Sequence, residues 1–272
     1  MNLVRAELFK VRTTALWWIM SIILVPLYAL SVGYNWLVAS AMSAAEGGSD
    51  TQAQQIEAAQ QPINIATSLY TSGQYMGVLI VLLLSAIVVT SEFFHLTATT
   101  TFLVTPRRER VILAKFVAAM IVSLIVWAGT TILNLILVPF ILDALNVGVQ
   151  LGESAVWRAI ALNGLAFVLW AVLGVGAGVL IRSQIAATLV LAILYTVGAS
   201  VVGVIFFVLA ENVARWIEKF QVLVPTTASQ LMISGTDLPG NPPRWVGALV
   251  LIGYAVVTGA LGTLLTKRRD VS

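Results

Sequence analysis

Few side chains in this sequence are of a type that does chemistry, and the most suggestive lie close together. Glu92 precedes His95 by three residues, a spacing that puts both on one face of a helix. A carboxylate and an imidazole so placed could offer two ligands to a metal ion. The chain has one His and no Cys to complete such a site, so a satisfied interfacial pair is the weightier reading. Ser72-Gly73 lacks a partner base, and neither H-E-x-x-H nor G-x-S-x-G occurs. Gly174-x-Gly176-x-Gly178 has the look of a phosphate cradle, yet no strand precedes it and no Lys-Ser/Thr follows. It lies inside an apolar run, where small residues let helices approach closely. Gly259 and Gly262 take the same reading. No nucleophile–base pair remains, so the chain is not expected to be an enzyme or to hold a cofactor or metal of its own.

The elements that must position these residues follow from composition. Of 272 residues, 59% are hydrophobic and 10% charged, against about 25% charged in a soluble domain. So few charges could not cover the surface of a water-soluble fold of this size. That excludes a cytosolic enzyme, a nucleic-acid binder, a disordered tail and a disulfide scaffold, and it points to a polytopic membrane protein. A helix crossing the hydrocarbon core needs about 20 apolar residues, and the charge-free runs supply six. The first lies between Arg12 and Glu46, apolar over 15–38; the second between Glu57 and Glu92, apolar over 74–90. The third lies between Lys115 and Asp143, the fourth between Arg158 and Arg182, the fifth between Arg182 and Glu211, and the sixth between Arg244 and Lys267. Period-2 alternation is absent, so these are helices and not barrel strands. The first run is too long for the apolar part of a signal peptide and contains Trp17 and Trp18, so it reads as a retained helix.

Six crossings return the chain to the side on which it began. With that side inside the cell, inner segments hold 11 basic and four acidic residues, and outer segments hold four and eight, which together account for the 15 Lys+Arg and 12 Asp+Glu. The positive-inside rule therefore predicts both termini in the cytoplasm of a multi-pass cell-membrane protein. Tyr34, Trp36, Trp157, Trp216 and Trp245 fall near the outer boundaries as interfacial anchors, whereas Trp127 and Trp170 lie within spans as packing residues.

The connections predict three further features. Residues 1–12 form a short interfacial helix with Val4, Leu8 and Val11 on one side. The outer stretch 41–70 reads as an acidic, partly helical, solvent-exposed loop. The outer stretch 211–243, apolar but broken by Pro225, Pro239, Pro242 and Pro243, reads as short re-entrant helices. Inside, residues 91–115 form the longest cytoplasmic segment, and Arg182-Ser183-Gln184 makes a tight turn. Neither is long enough to fold an ATPase. Span centres carry polar residues such as Ser85, Asn134, Asn163 and Ser200 but no ionisable carboxylate or amine. Ion-coupled carriers generally place such groups in the membrane. Energy for any uphill transport is therefore expected to enter from outside the spans, through 91–115.

In this order the sequence resembles a known family. A basic amphipathic start (Arg5, Lys10-Val11-Arg12) leads into six spans, and an inner segment opens Ser91-Glu92-Phe93-Phe94-His95. That segment runs on through 97–101 to Thr105-Pro106-Arg107-Arg108-Glu109-Arg110 and closes Ala114-Lys115. It looks like the permease subunit of a type-2 ATP-binding-cassette (ABC) transporter of the actinobacterial kind. Topology is matched over the whole chain, the motif over about 25 residues. One departure is visible: the family often has a basic residue where Phe94 stands, and Gly or Gln where Leu96 stands.

The resemblance implies a single transmembrane permease domain over 1–272, with an elbow helix at 1–12, a cytoplasmic coupling segment at 91–106 and an outer re-entrant segment at 211–243. It implies that Glu92, Phe93, His95 and Thr97 lie in or beside a coupling helix that docks on a separate nucleotide-binding ATPase, with Arg107 and Arg108 flanking it. ATP and Mg would be bound by that partner. A second permease subunit, normally a homodimer mate, would complete the pathway, lined mainly by spans two and five. Near-apolar spans suit an amphipathic, lipid-like or drug-like cargo, as in multidrug or antibiotic export, and membrane lipids are expected contacts. The alternative is a non-transporting membrane scaffold or immunity protein that binds a partner; a membrane enzyme is a third and weaker reading.

Overall fold

The computed structural model describes residues 2–43, 57–97, 108–237 and 241–268. Among them the fold is all-helical, and six helices are long and apolar enough to cross a membrane. In chain order, α1 is Asn2–Thr13, α2 Leu16–Ser43, α3 Pro62–Tyr70, α4 Gln74–Phe94, α5 Arg108–Ala144 and α6 Ser154–Ile181. α7 is Gln184–Asn212, α8 Pro225–Ile233 and α9 Arg244–Arg268, with a 3-10 helix at Arg215–Leu223 between α7 and α8.

α4 and α6 form the centre, with α9 on the far side of α6. Glycine makes this possible. A Cβ on Gly178 would come within 2.8 Å of the Ala86 carbonyl on α4, and one on Gly176 within 2.7 Å of the Thr258 carbonyl on α9. Gly174 meets Leu82 and Ser85 of α4 in the same way. The three glycines are the contact surface of one helix with two neighbours, which is the packing reading of the Gly-x-Gly-x-Gly run. Phe167, Trp170, Val81 and Leu251 fill the space around them.

The second span is interrupted. The stretch Pro62–Phe94 is apolar enough on average to cross a membrane, yet it turns at Thr71, Ser72 and Gly73 between α3 and α4. Gly73 has φ 84°, a left-handed conformation that favours glycine, and its missing side chain makes room for the Tyr28 ring of α2. Such a turn frees carbonyls that the apolar interior cannot solvate. Asn134 of α5 answers this: its Nδ2 donates to the carbonyls of Tyr70 and Ser72, 2.9 Å each, while its Oδ1 accepts from the Tyr28 hydroxyl at 2.7 Å. The polar residue in the third span is thus the repair for a break in the second.

Two expectations change at the connections, and one span has an irregularity. α3 is not an exposed loop: Ile65, Ala66, Leu69 and Tyr70 are buried against α5 and α6. The connecting segment expected over 91–115 is shorter, because α4 runs to Phe94 and α5 already begins at Arg108, which puts Lys115 well inside a helix. Finally, α7 contains a wide π turn at Leu194–Gly198. It coincides with Tyr195 turning inward, where the hydroxyl donates to the Tyr75 carbonyl at 2.7 Å and the ring packs 5.0 Å from Trp170. Otherwise α7 buries little beyond Ala187 and Ala210. The Arg182-Ser183-Gln184 turn forms as expected, with Ser183 capping α7 by accepting from the Ala186 N–H.

Candidate functional site

Two polar sites stand at opposite ends of the bundle. The first is built from four charges. On α1, Glu7 lies among Val4, Leu8 and Val11 on the face that packs down, and Lys10 follows one turn later. On α4, Glu92 is in the last turn; on α5, Lys115 points inward beside Val111, Ile112 and Ala119. Lys115 Nζ contacts Glu7 Oε2 and Glu92 Oε1, both at 2.8 Å. Lys10 Nζ contacts Glu7 Oε1 at 2.7 Å and Glu92 Oε1 at 2.6 Å. Two cations and two carboxylates thus close a ring joining three helices. Glu7, Glu92 and Lys115 are 4%, 6% and 1% exposed. Charges so deep are tolerated only when each meets its opposite. Burial by itself would lower the Lys10 ammonium, but hydrogen bonds to Glu7 and Glu92 outweigh it and hold that group above its ordinary value.

This geometry replaces the expected Glu92–His95 pair. Glu92 turns inward to the lysines, while His95 caps the helix end and stands exposed, its ring edge-on to Phe94 at 5.0 Å. Phe93 is half-buried under the Arg182 guanidinium, 5.4 Å from its ring centre. Thr97 N–H bonds the Glu92 carbonyl and Leu96 N–H the Phe93 carbonyl, at 2.9 and 3.3 Å. That is the Schellman closure of a helix, which normally has glycine at the position held here by Leu96. Leu96 adopts it at φ 57° and is 83% exposed. The outward-facing side chains of this corner are therefore Phe94, His95, Leu96 and Thr97. Arg107 lies outside the described residues, and of Arg108 only the backbone, opening α5, is described.

The second site is a cavity of about 810 Å³ between α2, α3, the start of α4 and the end of α8. α3 lines it with Asn64, Thr67, Ser68 and Thr71, one helical face, while its opposite face is buried. Across the gap stand Leu30, Ser31 and Asn35 of α2, and Gln230 closes a third side. The walls are tied together. Asn64 Nδ2 donates to the Thr236 hydroxyl at 2.8 Å and to the Ala58 carbonyl at 2.6 Å, and Asn64 Oδ1 accepts from Thr236 N–H at 3.0 Å. Two arginines hold the Gly235 carbonyl after α8: Arg244 Nη1 at 2.9 Å and Arg158 Nη2 at 3.1 Å. Arg244 also pairs with Asp237 at 2.8 Å, and that hydrogen bond lowers the Asp237 carboxyl below its usual value. Behind the cavity Gln74 Nε2 donates to the Ser229 hydroxyl, which Trp170 Nε1 also approaches at 3.4 Å.

Among the described residues, no group of three or more His, Asp or Glu side chains could hold a metal ion. The carboxylates of the ion-paired ring already face two ammonium groups. Neither Lys10 nor Lys115 was singled out from the sequence as a partner for Glu92. The signal was there in Glu7, an acid set in the middle of an otherwise apolar helix face. Nor was the cavity foreseen, because its residues come from separate spans. The family pattern assigns a pathway to spans two and five; here α4 is the enclosed helix, and α7 presents a bare apolar face including Ile193, Val197, Val201 and Phe207. No protein-family model matches this sequence, and no curated protein matches it.

Proposed function

We propose that the chain is the permease subunit of an ATP-driven ABC exporter, moving an amphipathic, lipid-like or drug-like substrate across the cell membrane. The observation that carries this reading is the ring of Glu7, Lys10, Glu92 and Lys115. It makes one block of the N-terminal helix, the end of the second span and the start of the third. A push delivered to the exposed corner at Phe94–Leu96 would then move two spans together and not bend one. In this reading the ring lies at the cytoplasmic end, as the positive-inside bias predicts, and both termini are cytoplasmic. The 3-10 helix and α8 form the outer re-entrant pair. A separate ATPase, binding ATP and Mg, docks at the corner, and the bare face of α7 meets a second permease copy.

The experiment is ATP-dependent flux of a fluorescent amphiphile in proteoliposomes holding the chain and the ATPase that copurifies with it. Leu96→Asp and Phe94→Asp, both outside the folded interior, are expected to abolish copurification and flux while leaving thermal stability near wild type. ATPase binding that survives both changes removes the coupling role. Partner binding with no flux for any amphiphile favours the scaffold alternative.

A further inference from the structure

The cavity carries the inference furthest. It lies in a bundle that otherwise hides its polar groups, yet α3 turns a polar stripe toward it, and Ser31 and Asn35 of α2 share the opposite wall. The cavity is half open, and polar groups set at such a space within an apolar bundle favour a polar partner there. Some are already satisfied within the chain: Asn35 donates to the Ser31 carbonyl and accepts from Ser68. Others are not. The Gln230 amide and the Tyr34 hydroxyl, both on exposed residues, make no hydrogen bond to another described residue. No Asp, Glu, Lys, Arg or His is among the lining residues described, and the guanidiniums of Arg158 and Arg244, which reach the wall at Gly235, are engaged with its carbonyl. The lining also changes along the helices: Leu30 lies more than one turn before Asn35 on α2, and Met76 follows the break at the start of α4. Its volume falls within the range of small-molecule sites, about 300–1,000 Å³. The α2 side opens beside a helix largely bare of other protein, which gives lateral access from lipid.

We infer that this cavity binds one uncharged single-chain amphiphile, its hydroxyl- or amide-bearing head against Asn35, Ser68 and Gln230 and its hydrocarbon chain along Leu30 and Met76. As a cargo site this deepens, and rests on, the exporter reading; the binding itself does not. A phospholipid fits less well, because no lining residue carries a charge to pair its phosphate and the arginines at Gly235 are already engaged. The head is fixed by neutral hydrogen bonds, so discrimination falls on charge more than on chain length.

The test uses the full chain in phosphatidylcholine nanodiscs with no ATPase present. A monoacylglycerol with a fluorophore on its chain is titrated by anisotropy, then displaced by unlabelled monoacylglycerol, by the fatty acid of the same chain, and by the matching alkyltrimethylammonium. Saturable binding is expected, with both charged competitors weaker by about tenfold or more. Ser68→Trp fills the cavity and abolishes binding; Gln230→Leu, at an exposed position, weakens it by about threefold or more. Equal displacement by all three competitors overturns the inference, as does unchanged binding in both variants at wild-type stability. Gln230→Leu decides the matter if Ser68→Trp does not fold. Binding without ATP-driven flux keeps the site and removes the exporter; flux without saturable binding does the reverse.

Discussion

At one end of the bundle three full charges are sealed among apolar helices and a fourth, Lys10, closes their ring from a half-exposed position. At the other, a set of neutral polar groups faces an open space. The strong charges have all found one another: Lys115 reaches two carboxylates at 2.8 Å and has 1% of its surface exposed. Of the weak dipoles Asn35, Asn64 and Ser68 have partners in the chain, while the exposed Gln230 and Tyr34 have none among the described residues. A closed ring of charges is stiff and specifies which helices meet. An unfinished set of dipoles leaves recognition still to be done. The contrast separates a part that transmits force from a part that selects a ligand.

The two ends should therefore respond very differently to loss of one polar side chain. Lys115→Met leaves Glu7 and Glu92 buried with only the half-exposed Lys10, and should cost about 3–5 kcal/mol of stability, seen as a collapse of the thermal midpoint in detergent. Gln230→Leu at the cavity should shift stability by no more than about 0.5 kcal/mol; equal losses at both ends would erase the contrast. Between the ends, Asn134→Leu orphans the Tyr70 and Ser72 carbonyls and the Tyr28 hydroxyl, at about 2–4 kcal/mol. A cost below about 1 kcal/mol there would mean that the break in the second span needs no such support.

At the exposed corner, Leu96→Gly should stabilise by about 1 kcal/mol, because φ 57° strains a side chain that glycine lacks. The same change should weaken ATPase copurification if Leu96 is a contact, so that a gain in stability and a loss of binding appear in one variant. The smallest effect concerns pH. Lys10 is held above its ordinary value of 10.5 in the folded chain, so its contribution is complete below that value and is lost as pH rises through the higher folded one. Alkaline titration of the thermal midpoint should show a loss in wild type that Lys10→Met lacks.

Some of this was legible from the order of residues. The six spans could be read from charge-free runs, and the glycine run in the fourth could be read as packing, since both depend on properties that each segment carries with it. The pairing of Glu92 was misread because periodicity compares a residue only with neighbours on its own helix, and offered His95. Its true partners stand on α1 and α5, 82 residues before it for Lys10 and across an intervening segment for Lys115. Likewise α3 was read as a loop because Gln, Ser and Ala dominate the stretch ahead of it, although Ile65, Leu69 and Tyr70 give it a buried face.

The sequence by itself determined that the chain is helical and apolar enough to cross a membrane six times, because hydrophobicity and helix length are local and additive. Tertiary structure alone decided which charges meet, where the second span breaks, and that a neutral cavity opens behind the break. Ion pairs and cavities are made by side chains from different helices, and their existence depends on distances of a few ångströms that no single segment encodes.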